Sequence, residues 1–297
     1  MGSGRLTVVV LAALVLAGLG VWAPAGELST EPPPGERGEA RDAGRDSGYE
    51  PARTSSRPDR DQAGRAIAEL REVVEAPPGY TRQATVRLGE SARGRPIRAN
   101  AMNGFDRRPL ILVVGCIHGD ECAASPVVRT IGGCPPLGDG IVIIPNLNPD
   151  GRSLRTRTNA RGVDLNRNFA SGWRPAGAPG DEEHSGTRPF SEPETRIARR
   201  LIDELRPDIT IWFHQQGEAM VRAWGESAVA GRLYARLAGM PFHRLPWLPG
   251  SAPNWQNARY PDASSFVVEL PLGTTTTEAS AQIGAILKLA LKLGRDE

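Results

Sequence analysis

The chain has 297 residues and a formal net charge of +2. This near balance of charge excludes a strongly basic nucleic-acid-binding surface and an acidic interaction tail. Aromatic residues make up 5% of the sequence, so no row of rings is visible on which nucleobases would stack. We therefore expect no nucleic-acid partner.

Residues 1–25 have the layout of a signal peptide. Arg5 gives a short basic start, residues 6–22 form an almost unbroken apolar run, and Ala23 and Ala25 supply the small residues that a signal peptidase reads. The alternative is a retained membrane anchor, but a spanning helix needs about 20 apolar residues and this run is slightly short. In either case we expect the rest of the chain outside the cytoplasm, secreted or in the cell envelope, with membrane contact only if the segment is retained.

A change in composition separates a linker from one folded domain. Residues 26–62 are rich in Pro, Gly, Ser and charged residues and have almost no apolar ones, which predicts a disordered linker. From residue 63 onward, Ala66, Ile67 and Leu70 begin a helical pattern. Residues 63–297 are about one domain's worth of chain.

Short apolar strands alternate with amphipathic helices in this domain. Continuous apolar runs predict buried strands at 109–116, 141–145, 209–213 and 266–270. Helical patterns lie at 121–131, 192–205, 227–237 and 278–293, and an edge hairpin is predicted at 84–88 and 96–101. This order predicts an α/β three-layer sandwich with a mixed, mostly parallel central sheet.

Polar residues follow the predicted strands, where sheets of this kind bind their ligands. His118 and Glu121 come after the first apolar strand, His214 ends the third, and Glu269 lies near the end of the fourth. A His and a Glu three positions apart on a helical turn can hold one ion together. A second His from a distant strand would complete a His₂Glu set with one open position, as in catalytic zinc sites.

Four segments resemble, in the correct order, the signatures of the M14 zinc carboxypeptidases. They are HGDE at 118–121, NPDGRSLRTRTNARGVDLNRNF at 148–169, SEPET at 191–195 and FVVELP at 266–271. The sequence is most similar to bacterial murein peptide amidases and related γ-D-glutamyl-diaminopimelate peptidases, which also share a Phe-His pair and a Pro-Gly-Ser segment, here at 213–214 and 249–251. The likeness covers roughly residues 85–290. It implies a zinc carboxypeptidase-like fold.

The resemblance implies a role for each matching residue near the metal. His118, Glu121 and His214 would bind a single Zn²⁺, which activates water and polarises the scissile carbonyl. Glu269 would be the general base that takes the proton from water and passes it to the leaving amine. Asp164 resembles the carboxylate that orients a zinc-bound histidine, although a turn-forming Asp explains it equally well.

The same resemblance assigns the substrate-binding residues. Arg157 matches the arginine that stabilises the oxyanion, although Arg155 and Arg161 lie close enough to take its place. Asn166 and Arg167 match the pair that binds the terminal carboxylate of the substrate.

Three further expectations concern cysteines and aromatic residues. Cys116 suits a small buried hydrophobic position, whereas Cys122 and Cys134 bracket a predicted helix and could form a disulfide. Digestive members of the family carry a substrate-binding Tyr before the general base. The only nearby Tyr here is Tyr260, which we expect to be structural, so aromatic recognition falls to Trp247 or Trp255.

The sequence thus predicts a zinc metallocarboxypeptidase or amidase that hydrolyses peptides, with peptidoglycan stem peptides as the expected substrate. One alternative is an N-acyl amino acid amidohydrolase of the aspartoacylase or desuccinylase type, which uses a similar zinc set but is disfavoured by the complete GVDLNRNF run. Another is an inactive wall-binding relative, which is disfavoured because the three expected ligands and Glu269 are all present. The sequence does not indicate an oligomeric state.

Overall fold

The computed structural model describes residues 57–76, 83–102, 109–122, 125–127, 140–215 and 217–293. Its strands are β1 Gln83–Glu90, β2 Pro96–Met102, β3 Ile111–Val114, β4 Ile141–Ile144, β5 Ile209–His214, β6 Met220–Ala223, β7 Phe242–Arg244 and β8 Ser264–Glu269. Its helices are α1 Arg57–Val74, α2 Pro149–Leu154, α3 Pro193–Leu205, α4 Ala228–Ala238, α5 Ala252–Arg259 and α6 Thr276–Leu293, with 3₁₀ turns at Leu165–Arg167 and Gly225–Ser227.

All eight strands join in one mixed sheet with the order β1-β2-β4-β3-β5-β8-β6-β7. The centre, β4-β3-β5-β8, is parallel. The predicted hairpin β1-β2 pairs antiparallel and joins β4 at one side, while β6 pairs antiparallel with β8 at the other. Every residue of β3, β4 and β5 is buried, which is why these strands read as continuous apolar runs in the sequence.

Helices cover both faces of the sheet, so the predicted three-layer architecture is confirmed. On one face, Leu70 of α1 and Leu201 of α3 pack in a core that includes Trp212 of β5. On the other face, Tyr234 of α4 and Ile286 of α6 pack in a second core around the same strands. None of the described helices combines the length and the apolar composition that crossing a membrane requires.

The first helix starts earlier than the predicted domain boundary. Helix α1 begins at Arg57, inside the segment predicted as a linker, and packs against the β1-β2 hairpin. Its first turns are polar and contain Pro58, which a helix tolerates in its first turn, so the apolar pattern that marks the helix starts only at Ala66. The predicted signal peptide and residues 26–56 of the linker lie outside the described residues.

Several short elements gave no signal in the sequence. Strand β6 contains a polar residue, Arg222, and β7 has three residues, so neither forms a recognisable apolar run. Helix α5 is buried from residue 252 to 257, on nearly all sides, and therefore lacks the one-sided pattern by which an amphipathic helix is recognised. Of the helix predicted at 121–131, residues 125–127 are described beyond Cys122, and they are helical.

The expected cysteine pairing is wrong. Cys122 is bonded to Cys116, with Cα atoms 4.8 Å apart, and Cys134 lies outside the described residues. The chain leaves β3 and turns at Cys116, which has a φ of 51°, so that a loop of six residues brings Cys122 back to it. Cys116 is fully buried, as expected, but as half of a disulfide rather than as a free thiol.

The packing of α1 predicts the effect of truncating its core residue. Leu70 is completely buried, so Leu70→Ala should destabilise the domain by about 2–5 kcal/mol through lost burial and the cavity left behind. The exposed neighbour Glu69 provides the control, since Glu69→Ala should change stability by less than about 0.5 kcal/mol. Urea unfolding measures both variants. Equal stability of Leu70→Ala and the parent would show that α1 is not part of the folded domain.

Candidate metal centre

The carboxyl edge of the parallel strands gathers the predicted residues. His118 and Glu121 lie in the loop that follows β3, and His214 is the last residue of β5. Glu269 is the last residue of β8 and pairs in register with His214. The residues that directly precede His214 and Glu269 in β5 and β8 are apolar and buried, so the core ends where the polar site begins.

Three side chains converge on one point. His118 Nδ1 and His214 Nδ1 each lie 3.0 Å from the same carboxylate oxygen, Glu121 Oε2. One ligand atom from each of the three residues lies within 4.8 Å of the others, and all three residues are buried. Ligands at about 2.1 Å around a tetrahedral zinc ion would be about 3.4 Å apart, so the spacing suits one ion.

Unsatisfied atoms in the cluster support a metal. His214 Nε2 and Glu269 Oε2 are buried and have no hydrogen-bond partner among the described residues. His118 Nδ1 is also buried and makes no hydrogen bond, although Glu121 Oε2 is 3.0 Å away. Buried polar atoms without a partner are rare because each one costs free energy. A cation held by two imidazoles and a carboxylate would satisfy His118 and would offset the charge of buried Glu269. The residues present therefore fit zinc, whose usual ligands are His nitrogens and carboxylate oxygens.

Asp164 orients His118 and also forms the following turn. Asp164 Oδ1 lies 3.0 Å from His118 Nε2, which leaves Nδ1 directed at Glu121. The same oxygen accepts a hydrogen bond from the backbone N–H of Asn166 at 2.8 Å. Both interpretations of Asp164 are therefore correct. Burial alone would raise the pKa of Asp164, but His118 and Arg157 outweigh it and hold the pKa well below its usual range.

Arg157 links the two carboxylates. It donates from Nη1 to Glu121 Oε1 at 2.9 Å and from Nε to Asp164 Oδ2 at 3.1 Å. Burial alone would raise the pKa of Glu121, but the imidazoles of His118 and His214 hold it far below its usual range. The guanidinium therefore holds both carboxylates in place while they remain ionised. The predicted oxyanion role of Arg157 stays a prediction.

The two other arginines considered for that role point elsewhere. Arg155 is exposed, and Arg161 is exposed and lies 3.6 Å from Glu192. Among the described arginines, only Arg157 forms ion pairs with Glu121 and Asp164, which favours Arg157 as the arginine of the site.

Asn166 and Arg167 follow Asp164 in the 3₁₀ turn Leu165–Arg167. Asn166 is buried, and its side-chain oxygen accepts a hydrogen bond from the backbone N–H of Ala252 at 2.9 Å. That bond fixes the amide and leaves its NH₂ group as the donor. The guanidinium of Arg167 forms an ion pair at 3.2 Å with Glu183, whose side chain is 72% exposed. Their predicted role in carboxylate binding stays a prediction.

The expected aromatic recognition residues lie mostly in the core. Trp255 is 3% exposed and packs against Phe169 and Phe190, so its proposed contact with substrate is wrong. Tyr260 donates a hydrogen bond to Asp203, in agreement with a structural role. Trp247 is largely buried and packs edge-on against the neighbouring indole of Trp224.

The sequence did not predict that Asn148 fixes the loop after β3, which carries His118 and Glu121. The Asn148 amide donates to the carbonyl oxygens of Ile117, Arg157 and Thr158, and its oxygen accepts from Gly151 N–H. Asn148 thus joins the loop after β3 to the segment after β4. The Asn-Pro-Asp-Gly run marks a turn, but only the fold reveals which carbonyls the amide reaches.

Gly119 allows that contact to be close. A Cβ added at Gly119 would lie 1.9 Å from the carbonyl carbon of Gly151 and 2.2 Å from the backbone nitrogen of Arg152. Both obstacles are backbone atoms, so no rotamer change relieves the clash. Since Gly119 lies between His118 and Glu121, a larger residue there must displace the ligands.

Comparisons with known proteins show similarity to zinc peptidases. Residues 140–267 match the peptidase M14 family, described as zinc carboxypeptidase. Murein peptide amidase A of Escherichia coli K12 is 33% identical over 153 residues, which cover 46% of this chain and 60% of that protein. Carboxypeptidase B of Helicoverpa zea is 29% identical over 177 residues, covering 47% and 41% of the two chains. The chain thus spans 60% or less of the length of these relatives.

Solved structures share the fold. Carboxypeptidase A from Helicoverpa armigera aligns with a TM-score of 0.62 at 18% identity, over 82% of this chain and 75% of that one. Murein-tripeptide amidase from Escherichia coli O157 aligns with a TM-score of 0.54 at 25% identity, over 73% and 94%. The predicted fold class and the resemblance to M14 zinc carboxypeptidases are confirmed. His214 lies within the matched range 140–267. His118 and Glu121 precede that range, and the fold brings them next to His214.

The contact at Gly119 predicts a loss of metal affinity on substitution. Gly119→Ala should weaken zinc binding by about 10- to 100-fold, the range seen when residues supporting a metal ligand are removed, because the added methyl separates the ligand loop from Gly151. Competition with a chromogenic chelator measures the affinity. Gly284→Ala is the matched control, since a Cβ there meets nothing within 4 Å. Unchanged affinity in Gly119→Ala would show that the ligand positions do not depend on this contact.

Proposed function

We propose that the protein is a zinc-dependent metallopeptidase of the carboxypeptidase or amidase type that acts on stem peptides of the bacterial cell wall. The observation that carries the proposal is the convergence of His118, Glu121 and His214 beside Glu269 at the carboxyl edge of the sheet. Two imidazoles, one carboxylate ligand and a second, unpartnered carboxylate are the groups that metal-assisted hydrolysis of an amide requires.

His118, Glu121 and His214 would hold the zinc ion. When bound, zinc would lower the pKa of water and polarise a carbonyl oxygen. Asp164 and Arg157 keep the ligand set oriented, because Asp164 fixes the ring of His118 and Arg157 holds the far oxygen of Glu121. That oxygen, Oε1, is thereby turned away from the imidazoles and leaves Oε2 for the ion.

Glu269 is the proton carrier in this proposal. Its carboxylate is 5% exposed, Oε2 has no described partner, and its strand position lies beside His214. It would take a proton from the attacking water and pass the proton to the amine that leaves as the C–N bond breaks.

Arg167 and Asn166 would bind the terminal carboxylate of the substrate. Arg167 already holds a carboxylate, that of exposed Glu183, and such a surface ion pair is worth only about 0–1 kcal/mol. A substrate carboxylate could therefore replace Glu183 at little cost, with the Asn166 amide as a second donor. Arg157 would add positive charge where an oxyanion develops.

Peptidoglycan stem peptides are the proposed substrate class. The resemblance to murein peptide amidases supports this choice, and one relative of 33% identity is named for that substrate. The signal-peptide layout of residues 1–25 supports an extracytoplasmic location, in the cell envelope or secreted, with a membrane anchor if the segment is retained. The proposed partner is thus a peptide.

Zinc-dependent turnover of a defined peptide tests the proposal. We expect the zinc-loaded protein to release diaminopimelate from L-Ala–γ-D-Glu–diaminopimelate, and we expect a chelator to abolish the release until zinc is restored. Chromatography of the products measures both. Turnover of N-acyl amino acids in place of peptides would favour the aspartoacylase-type alternative. A protein purified without zinc that hydrolyses neither substrate after zinc is added would favour the inactive relative.

A single substitution separates metal binding from proton transfer. Glu269→Gln should retain one zinc ion and lose about 10²- to 10⁴-fold in kcat, because an amide cannot accept the proton. Elemental analysis and steady-state kinetics measure the two quantities. Glu218→Gln, at an exposed position in the loop after β5, is the matched control and should keep full activity. Activity retained in Glu269→Gln would remove Glu269 from the mechanism.

A further inference from the structure

Arg222 lies on the face of the sheet that carries the metal centre. In the antiparallel pairing of β6 with β8, Met220 is opposite Glu269 and Arg222 is opposite Val267. Residues that pair directly across two strands project to the same face, as do residues two positions apart on one strand. Arg222 therefore shares a face with Glu269, about 7 Å further along the strands.

The guanidinium of Arg222 has no partner in the described part of the chain. Its Nε is buried without a hydrogen bond, and no described residue forms an ion pair with it. The other arginines near the site differ, because Arg157 is paired with Glu121 and Arg167 with Glu183. A buried donor without an acceptor is unfavourable by about 1–3 kcal/mol, so this position calls for an explanation.

Apolar residues flank Arg222 on this face, with Met220 two positions before it and Val267 directly opposite it on β8. Trp224, two positions after Arg222 and just beyond the end of β6, is partly buried against the core on the same face. Its ring packs against that of Trp247, with ring centroids 4.9 Å apart. The register thus places an apolar ring and an unpaired guanidinium two positions apart on one face of the sheet. Such a site suits a ligand side chain with methylene groups that ends in an anion.

We propose that Arg222 is a specificity-determining residue that binds a second carboxylate, at the end of the side chain of the leaving residue. This inference rests on the proposed function. Arg167 binds the α-carboxylate of that residue, and the planar fork of Arg222 pairs with the other one. Diaminopimelate carries both carboxylates, whereas lysine has the same carbon chain without the distal carboxylate. The protein therefore prefers stem peptides that end in diaminopimelate over those that end in lysine.

Two tripeptides that differ by this one group test the inference. We expect the wild-type protein to hydrolyse L-Ala–γ-D-Glu–diaminopimelate with a kcat/KM about 10- to 100-fold above that for L-Ala–γ-D-Glu–L-Lys, as expected for a hydrogen-bonded charged group. Arg222→Met, which keeps an unbranched apolar stem and removes the guanidinium, should lose this preference by lowering kcat/KM for the diaminopimelate peptide alone. A general structural defect would lower both values together and leave the ratio unchanged.

Controls separate this inference from the proposed function. Arg244→Met, at an exposed position on neighbouring β7, should keep the wild-type ratio. Equal kcat/KM for both peptides in the wild type, or an unchanged preference in Arg222→Met, would overturn the inference while the peptidase function stands.

Binding measurements keep the inference testable if turnover or folding fails. If the zinc-loaded wild type cleaves neither peptide, the proposed function fails, and calorimetric binding of free diaminopimelate against free lysine then decides the role of Arg222. If Arg222→Met does not fold, Arg222→Lys replaces it and should retain part of the preference, because a point charge remains without the fork. Equal binding of diaminopimelate and lysine to the wild type would refute the inference in either case.

Discussion

One carboxylate oxygen organises the whole site. Glu121 Oε2 lies 3.0 Å from an imidazole nitrogen of His118 and 3.0 Å from one of His214, two residues separated by 96 positions. The backbone N–H of Gln215 also donates to this oxygen at 3.1 Å. Three nitrogens can meet there only because β3 and β5 are parallel neighbours whose carboxyl ends face the same edge. The sheet topology is thus the physical condition for the metal centre, and the helices on both faces hold the strands in that order.

The site is held from outside by charges that have no part in metal coordination. Arg157 is 16% exposed and pairs with both Glu121 and Asp164, and these two carboxylates lie beside opposite ring nitrogens of His118. Burial would otherwise favour protonation of both acids. The uncharged side chain of Asn148 also stabilises the site, because it donates hydrogen bonds both to Ile117 in the loop after β3 and to the backbone of Arg157. Geometry of this kind is set before any ligand arrives, which is how a binding site keeps its atoms within tenths of an ångström of the productive position.

The sequence predicts the strands and the metal ligands well, and it predicts long-range support poorly. The buried strands give a clear signal because β3 and β4 are wholly apolar and β5 and β8 contain apolar runs, and the ends of β5 and β8 identify His214 and Glu269 as residues of the edge. The bond between Cys116 and Cys122 was not predicted, because a backbone turn at positive φ brings these cysteines together and no spacing rule reveals that turn. Arg222 was overlooked for a related reason: a single arginine in a short strand resembles a solvated charge until its pairing with β8 is known.

Two unsatisfied charges on one face of the sheet point to a common cause. Glu269 Oε2 and Arg222 Nε are both buried without a described partner, and they lie on neighbouring strands. A fold selected for stability alone would have paired them or replaced them by apolar residues, since each one opposes folding. No ion pair joins these two side chains in the described part of the chain, although their strands are neighbours. A substrate that reaches both positions would satisfy the arginine with an anion and the carboxylate with a proton. Under the proposed function, the free energy that these buried groups cost the free protein would be recovered when substrate binds and reacts.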